Sequence, residues 1–314
     1  MPKIVALDSE TVDLPDSEWA ALDPFGDLIR HEFTPREESV ILKRCAGAQI
    51  VLSNKVPLMA STLKQLPELK LVCILATGTN NVDLAAAREL GITVRNVPAY
   101  STRSVAQHSL ALLLELANRT GHYTRTVHDG DWTRSRQFCY WHHQIHELAG
   151  RTAGIIGFGQ IGRATAALFR ALGMRIIAHT RTPKNAPDWE GFEFVSVETL
   201  FEQADVISLH CPLTEANQGF VNAALLKRCK PGAFLVNTAR GPLIKEQDLR
   251  DALEAGTLAG AAVDVLSEEP MREDCPLLGA PNCIITPHLA WASVEARQRL
   301  MAVTVENIRS FLNP

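Results

Sequence analysis

Short, continuous apolar runs alternate with longer mixed stretches along most of the chain. Continuous runs are typical of strands buried on both faces of a sheet, whereas apolar residues repeating every three or four positions are typical of amphipathic helices. The predicted strands are Lys3–Leu7, Gln49–Leu52, Leu69–Leu75, Ile92–Val94, Thr152–Ile156, Arg175–Ala178, Val206–Leu209, Phe234–Val236, Ala259–Val263 and Cys283–Ile285. The predicted helices are Leu58–Leu66, Leu84–Leu90, a long helix from Ser101 or Thr102 that ends before Gly121, Arg163–Leu172 and Ser293–Leu312.

Strands that alternate with helices predict an α/β fold with parallel sheets covered by helices. The 314 residues are enough for two such domains, each with its own core. We therefore expect two doubly wound parallel sheets, with the last helix packing on the first domain. Ligands bind beyond the carboxyl ends of the strands in such sheets, so the functional residues are expected just after each strand.

A glycine-rich turn follows the strand Thr152–Ile156 and precedes a helix, with glycines at 157, 159 and 162. Gly157 permits the tight turn, Gly159 lets a pyrophosphate approach the backbone, and Gly162 lets the helix pack closely on the strand. The amides at the start of the helix can then bind phosphates. Because a second strand follows this helix, a dinucleotide site explains the glycines better than an ordinary turn does.

Composition and charge exclude several classes of function. The formal net charge of −4 gives no reason to expect nucleic acid as a partner. No apolar run approaches the ~20 residues of a membrane helix, and the amino-terminal apolar run is too short for a signal peptide. The seven cysteines are odd in number and lack C-x-x-C spacing, which predicts reduced thiols in a cytoplasmic protein.

The segment from His128 to His146 is rich in histidine and aromatic residues. His142 and His146 have the spacing of residues that share one face of a helix, so a zinc site must be considered. The H-E-x-x-H pattern of zinc proteases fails because residue 143 is histidine instead of glutamate. We therefore predict a surface or interface segment here and no metal site.

Three ionisable residues that follow predicted strands form a candidate catalytic set: Arg240, Glu269 and His288. A guanidinium can bind a substrate carboxylate with two hydrogen bonds. Histidine can give or take a proton near neutral pH, and a carboxylate can orient that histidine. This set suits hydride transfer between a nicotinamide and a 2-keto or 2-hydroxy acid, although each residue alone could equally have a structural role.

Several motifs occur in a fixed order along the chain. They are Ala76-Thr77-Gly78 through Val82-Asp83, Val97-Pro98 through Val105-Ala106-x-His108, Gly157-x-Gly159-x-x-Gly162, Asn237-Thr238-Ala239-Arg240-Gly241, Asp264 through Glu269-Pro270, and Thr286-Pro287-His288. Together they resemble the D-specific 2-hydroxyacid dehydrogenase family over nearly the whole chain. The segments Ala76–Asn80, Phe138–Trp141 and His288–Ala292 are most similar to its bacterial glycerate dehydrogenases, also called hydroxypyruvate reductases.

This resemblance implies a flavodoxin-like substrate domain, residues 1–98 and 287–314, and a Rossmann dinucleotide-binding domain, residues 99–286. It implies that His288 is the acid–base group, Glu269 its partner and Arg240 the substrate clamp, in a cleft between the domains. Other substrate contacts would come from Asn54, Thr77, Gly78, Thr79, Asn80 and Trp141. Cofactor contacts would come from Thr77, Gly157, Gly159, Gln160, Ile161, Gly162, Thr180, Arg181, Cys211, Thr238, Ala239, Arg240, Asp264, His288 and Ala290. Family members form homodimers, and Trp141 is the candidate for a residue that reaches the partner's active site.

The choice between NAD and NADP depends on the residues after the strand Arg175–Ala178. Many NAD-using relatives carry an acidic residue there, which binds the ribose hydroxyls. This chain has Thr180 and Arg181 instead, and no Asp or Glu between Arg163 and Pro187. A guanidinium suits a 2′-phosphate, so we favour NADP(H), with NAD(H) as the alternative.

Three functions remain open from the sequence. The first is reduction of hydroxypyruvate or glyoxylate to the D-hydroxy acid. The second is another 2-keto acid reductase of the pyruvate or phosphoglycerate type. The third is a nucleotide-sensing, corepressor-like binding protein, which can keep the same three residues without using them for turnover.

Overall fold

The computed structural model describes residues 1–313, which divide into two compact units. The first unit comprises Met1–Ser101 and the chain from Ala292 onward, and the second is Thr102–Trp291. The sequence analysis placed the domain boundaries after residues 98 and 286, whereas the two units divide after Ser101 and Trp291. Arg299 Nε donates to the Tyr100 carbonyl at 2.9 Å within the first unit. The amide of Ala290 donates to the Asp264 carboxylate at 2.9 Å within the second.

The secondary structure within the described residues alternates between strands and helices. The strands are β1 (Lys3–Ala6), β2 (Asp27–Arg30), β3 (Ile50–Ser53), β4 (Leu71–Ile74), β5 (Thr93–Arg95), β6 (Thr152–Ile156), β7 (Arg175–His179), β8 (Glu193–Phe194), β9 (Val206–Leu209), β10 (Phe234–Asn237), β11 (Gly260–Val263) and β12 (Cys283–Ile285). The α-helices are α1 (Asp16–Trp19), α2 (Glu38–Cys45), α3 (Ala60–Lys64), α4 (Leu84–Glu89), α5 (Thr102–Asn118), α6 (Thr120–His128), α7 (Asp131–Arg134), α8 (Gln160–Ala171), α9 (Val197–Gln203), α10 (Ala223–Leu226), α11 (Glu246–Glu254) and α12 (Val294–Leu312). Short 3₁₀ helices cover Ser9–Thr11, Ala20–Phe25, Glu215–Asn217 and Gly241–Leu243.

The first unit is built on a parallel sheet with the strand order β2-β1-β3-β4-β5. This is the flavodoxin-like order, and the direction of winding reverses between β1 and β3. Every residue of β3 and β4 is buried, which explains their continuous apolar runs. Helix α12 packs on this unit, as predicted, and contacts β4 and the Ala20–Phe25 segment.

The second unit is built on a parallel sheet with the order β12-β11-β10-β9-β6-β7-β8. Counted from β6, this is the Rossmann order with one further strand, and the winding reverses between β6 and β9. Alternate residues of the central strands enter apolar cores on opposite faces, as Phe234 and Leu235 of β10 do. The two units together confirm the predicted fold class.

Several local predictions were wrong or missed an element. The edge strand β2 escaped detection because three of its four residues are exposed and its two apolar residues lie between charged ones, too short a run to indicate a strand. The two residues of β8 are too few to produce a pattern. His142 and His146 do not share a helix, because the chain is irregular between α7 and β6. No helix within residues 1–313 is long and apolar enough to cross a membrane.

Candidate active site

The glycine-rich turn after β6 lies where the winding of the second sheet reverses. Gly157 has a φ of +92°, and a Cβ there would lie 2.5 Å from the amide nitrogen of Cys211. A Cβ on Gly162 would lie 2.0 Å from the carbonyl oxygen of Gly157. Any larger residue at either position would therefore displace backbone. A Cβ on Gly159 would meet no atom within 4 Å, so the backbone here is open to a ligand.

The amino terminus of α8 begins in this turn, with Gly159 as its cap and no capping side chain. The amides of Gln160 and Ile161 are therefore available to a ligand, and the helix dipole favours an anion there. This open, uncapped terminus fits the pyrophosphate of a dinucleotide.

The segment after β7 carries Thr180 and the exposed Arg181. The guanidinium of Arg163 in α8 contacts this segment. It donates to the carbonyl of Lys184 at 2.7 Å and to that of Asn185 at 2.8 Å. The Arg163 guanidinium also lies 4.4 Å from the centre of the Phe158 ring. The loop that presents Arg181 is therefore attached to the helix that begins at the glycine-rich turn.

Cys211 follows β9 and lies against Gly157. Burial raises the pKa of its thiol to about 11, so the side chain is neutral at physiological pH. Cys211 can therefore supply an apolar wall to a ligand, but it is not a nucleophile.

The turn after β10 is fixed by Asn237, which is buried. Its amide nitrogen donates to the Arg240 carbonyl at 2.9 Å, and its oxygen accepts from the Ala239 amide at 3.0 Å. A Cβ on Gly241 would lie 1.9 Å from the carbonyl carbon of Leu266. The turn that carries Arg240 therefore packs directly on the loop that leads to Glu269.

His288 and Glu269 meet at the carboxyl edge of the same sheet. Nδ1 of His288 lies 2.6 Å from Oε2 of Glu269, while Oε1 of Glu269 accepts the Leu266 amide at 3.1 Å. The His288 side chain is 25 % exposed and that of Glu269 is 36 % exposed. Because Nδ1 faces the carboxylate, Nε2 is the nitrogen that can exchange a proton with a substrate.

His288 has a φ of +52°, a left-handed conformation that is unfavourable for a non-glycine residue. Asp264 stabilises this turn: its carbonyl accepts the His288 amide at 2.8 Å, and its carboxylate accepts the amides of Leu289 and Ala290 at 3.0 and 2.9 Å. Burial alone would raise the pKa of Asp264, but hydrogen bonds from His108, Thr286 and these amides lower it overall. The carboxylate is therefore ionised.

The first unit holds the other predicted residues beyond the ends of β3 and β4. Asn54 is buried, and its side-chain amide donates to Thr11 Oγ1 at 3.0 Å. Thr77 Oγ1 donates to the Val97 carbonyl at 3.0 Å, and its own carbonyl accepts from Asn96. The turn continues through Gly78, Thr79 and Asn80. At its end, the Val82 amide donates a hydrogen bond to the Thr79 carbonyl at 3.1 Å.

Comparison with known proteins identifies the family. The family model for the NAD binding domain of D-isomer specific 2-hydroxyacid dehydrogenases matches residues 110–290. This chain belongs to that family. It is a nicotinamide-dinucleotide-dependent oxidoreductase that acts on the CH–OH group of D-2-hydroxy acids.

Two relatives and one solved structure illustrate the similarity. The dehydrogenase is 43 % identical to a hydroxypyruvate reductase from Blautia hydrogenotrophica, covering 99 % of this chain and 97 % of the relative. It is 42 % identical to a glycerate dehydrogenase from Methylorubrum extorquens, covering 99 % and 96 %. An NADPH-dependent glyoxylate/hydroxypyruvate reductase from Sinorhizobium meliloti, solved with NADP and malonate, gives a TM-score of 0.84 at 28 % identity, covering 99 % and 93 %.

The structure of the dehydrogenase also shows supporting residues that the sequence analysis missed. Asp8 is 3 % exposed and accepts three consecutive amides, those of Asn54, Lys55 and Val56, at 2.9, 2.6 and 3.3 Å. Asn81 donates to the Val56 carbonyl at 3.3 Å, which links the loops after β3 and β4. The position of Asp8 directly after an apolar run could have marked it as a candidate site residue. Its hydrogen-bond partners could not be predicted, because the tertiary fold brings them together.

The histidine-rich segment contains no recognisable ligand set. Its His143 packs edge-to-face against His122 of α6 with 4.9 Å between ring centres, and the ring centres of Tyr140 and His142 lie 5.2 Å apart. Among residues 1–313, no group of three or more histidine, cysteine or acidic side chains could hold a metal ion. Trp141 is 68 % exposed within this segment.

Proposed function

We propose that this dehydrogenase reduces hydroxypyruvate to D-glycerate, with His288 as the proton donor. The observation that carries the proposal is the 2.6 Å hydrogen bond between His288 Nδ1 and Glu269 Oε2. The similarity to a hydroxypyruvate reductase and a glycerate dehydrogenase over almost the whole chain supports hydroxypyruvate as the substrate. In the reverse direction, the same residues would oxidise the hydroxy acid.

The proton transfer uses the two nitrogens of His288 differently. Nδ1–H donates to the Glu269 carboxylate, which fixes the ring and stabilises its cationic form. The proton on Nε2 passes to the keto oxygen of the substrate, and the ring becomes neutral while Nδ1 keeps its proton. Reduced nicotinamide, when bound, supplies the hydride that reduces the keto carbon.

Arg240 binds the substrate carboxylate in this proposal. Its guanidinium can donate two parallel hydrogen bonds to a carboxylate, and Gly241 lets its turn lie directly on the Glu269 loop. Further substrate contacts are assigned to the strand-end residues of the first unit and to Trp141. These residues are Asn54, Thr77, Gly78, Thr79 and Asn80.

NADP(H) is the proposed cofactor, because Arg181 follows β7 without a nearby acidic residue. The pyrophosphate is assigned to Gly157, Gly159 and Gly162 and to the amides of Gln160 and Ile161. The remaining assigned contacts are Thr77, Thr180, Cys211, Thr238, Ala239, Arg240, Asp264, His288 and Ala290.

A homodimer is part of this proposal. The segment between α7 and β6 exposes large apolar side chains, with Phe138 87 % exposed and Ile145 56 % exposed. Such a patch is typical of a protein–protein interface. Trp141 lies between these residues in the sequence and is assigned to the partner's active site.

The cytoplasm is the proposed location, because its reducing conditions keep free cysteines such as these as thiols.

Initial rates with hydroxypyruvate, glyoxylate and pyruvate, each with NADPH and with NADH, test the proposal. The absorbance of the reduced nicotinamide reports the rate for every pair of keto acid and cofactor in the same assay. Hydroxypyruvate with NADPH should be the fastest pair. Faster turnover with NADH would refute the cofactor assignment alone, whereas a preference for glyoxylate or pyruvate would refute the substrate assignment.

A further inference from the structure

Helix α5 carries polar side chains that contact the loops around His288. Ser104 Oγ donates to the Ala290 carbonyl at 2.8 Å. One turn later, His108 Nε2 lies 3.2 Å from Thr286 Oγ1 and 3.5 Å from Asp264 Oδ1. The next residue, Ser109, shares a 2.9 Å hydrogen bond with Thr238. The helix therefore contacts the loops after β10, β11 and β12.

Counting protons fixes the direction of the bond between His108 and Thr286. Thr286 Oγ1 lies 2.6 Å from Asp264 Oδ1, and an ionised carboxylate can only accept. The single hydroxyl proton of Thr286 is therefore donated to Asp264. The same hydroxyl must then accept from His108, so His108 carries a proton on Nε2.

The hydrogen bonds from His108 to Thr286 and from Thr286 onward end on the Asp264 carboxylate, which stabilises the turn that carries His288. Asp264 accepts from Thr286 and from the amides of Leu289 and Ala290, while its carbonyl accepts from His288. A left-handed non-glycine residue persists only where its surroundings fix it. Loss of a donor to this network should therefore loosen the turn that carries His288.

We propose that His108 is a positioning residue: its Nε2–H orients Thr286 and Asp264 and thereby holds the acid–base histidine in its working geometry. The proposal rests on the proposed function, in which His288 exchanges the proton with the substrate. His108 acts through Thr286 and Asp264, and it takes no part in the proton transfer itself.

A pair of substitutions separates the Nε2–H donor from the bulk of the side chain. His108→Gln keeps an N–H donor at a similar distance from the backbone, whereas His108→Leu keeps comparable bulk and removes the donor. Gln107→Leu is the matched control, because Gln107 is an exposed neighbour on the same helix. Each variant is compared with the wild type for kcat and KM in keto acid reduction and for hydrogen–deuterium exchange of peptide 286–291.

His108→Leu should lower kcat by roughly tenfold or more, since small misplacements of a catalytic group have effects of this size. Exchange in peptide 286–291 should accelerate. The KM for the cofactor should change less than kcat, because the pyrophosphate is assigned to the glycine-rich turn outside this network. His108→Gln should restore most of the kcat and the protection, while Gln107→Leu should match the wild type.

Two results would overturn the proposal. The first is a His108→Leu variant with wild-type kcat and exchange. The second is equal impairment of the Leu and Gln variants, because the shape of the side chain would then matter instead of its donor. A wild-type protein that reduces no keto acid would refute the proposed function, and the exchange data would still decide whether His108 holds the turn.

Discussion

Replacing Glu269 by glutamine removes a charge beside the proposed proton donor and changes little else in shape. Glu269 uses both oxygens: Oε2 faces His288 at 2.6 Å, and Oε1 accepts the Leu266 amide at 3.1 Å. Glutamine has one carbonyl oxygen, so it can accept from only one of these two donors. The substitution therefore removes both the charge and one acceptor.

The size of the effect follows from the exposure of the pair. A hydrogen bond to a charged group contributes about 1.5–3 kcal/mol, and solvent screening favours the lower end for side chains that are a quarter and a third exposed. About 1.4 kcal/mol corresponds to a factor of ten. We therefore expect kcat for keto acid reduction to fall about tenfold at neutral pH.

Steady-state rates across a range of pH, followed by nicotinamide absorbance, measure this loss. Glu268→Gln is the matched control, because Glu268 is 63 % exposed and lies 3.5 Å from Arg272. This control should retain wild-type rates at every pH. A Glu269→Gln variant with the same rates as the control would refute the assigned partnership between Glu269 and His288.

Three further predictions concern the cofactor, stability and thiol reactivity. Arg181→Ala should raise the KM for NADPH about tenfold and leave that for NADH unchanged, as expected for loss of one exposed charged hydrogen bond; equal effects on both would contradict a 2′-phosphate contact. Asp8→Ala leaves three amides without their acceptor and should lower the free energy of unfolding by about 3 kcal/mol in chemical denaturation; a loss below about 1 kcal/mol would contradict this role. Because the pKa of Cys211 is raised to about 11, about one thiol in a thousand is ionised at pH 8, so iodoacetamide should label it only after unfolding. Prompt labelling of the folded protein would contradict the assigned environment.

The sequence predicted the central strands well because both faces of each sheet are covered, which makes every residue of a strand such as β9 apolar or small. It missed β2, an edge strand whose exposed residues carry no such pattern. Likewise, the spacing of His142 and His146 suggested a shared helix face, but no helix forms there. Spacing alone does not reveal whether the intervening backbone is helical.

Within the site, the sequence predicted the partnership of His288 and Glu269 because each follows a strand end and the family resemblance assigns both a role. In the structure, Nδ1 of His288 lies 2.6 Å from Oε2 of Glu269, and the catalytic role of the pair stays a prediction. The contributions of Asp8 and His108 could not be predicted, because Asp8 binds amides 46 to 48 residues away and His108 contacts Thr286 across 178 residues. Such contacts depend on how the chain folds, and local patterns do not encode them.

The most direct test of the account is the kcat of a His288→Gln variant in hydroxypyruvate reduction, with NADPH affinity measured in parallel by fluorescence. Loss of general acid catalysis should lower kcat roughly a hundredfold or more. The affinity for NADPH should fall far less than kcat, because His288 is only one of the assigned cofactor contacts and the pyrophosphate is assigned to the glycine-rich turn. A variant that binds NADPH and retains kcat within about threefold of the wild type would contradict the assignment of His288 as the proton donor.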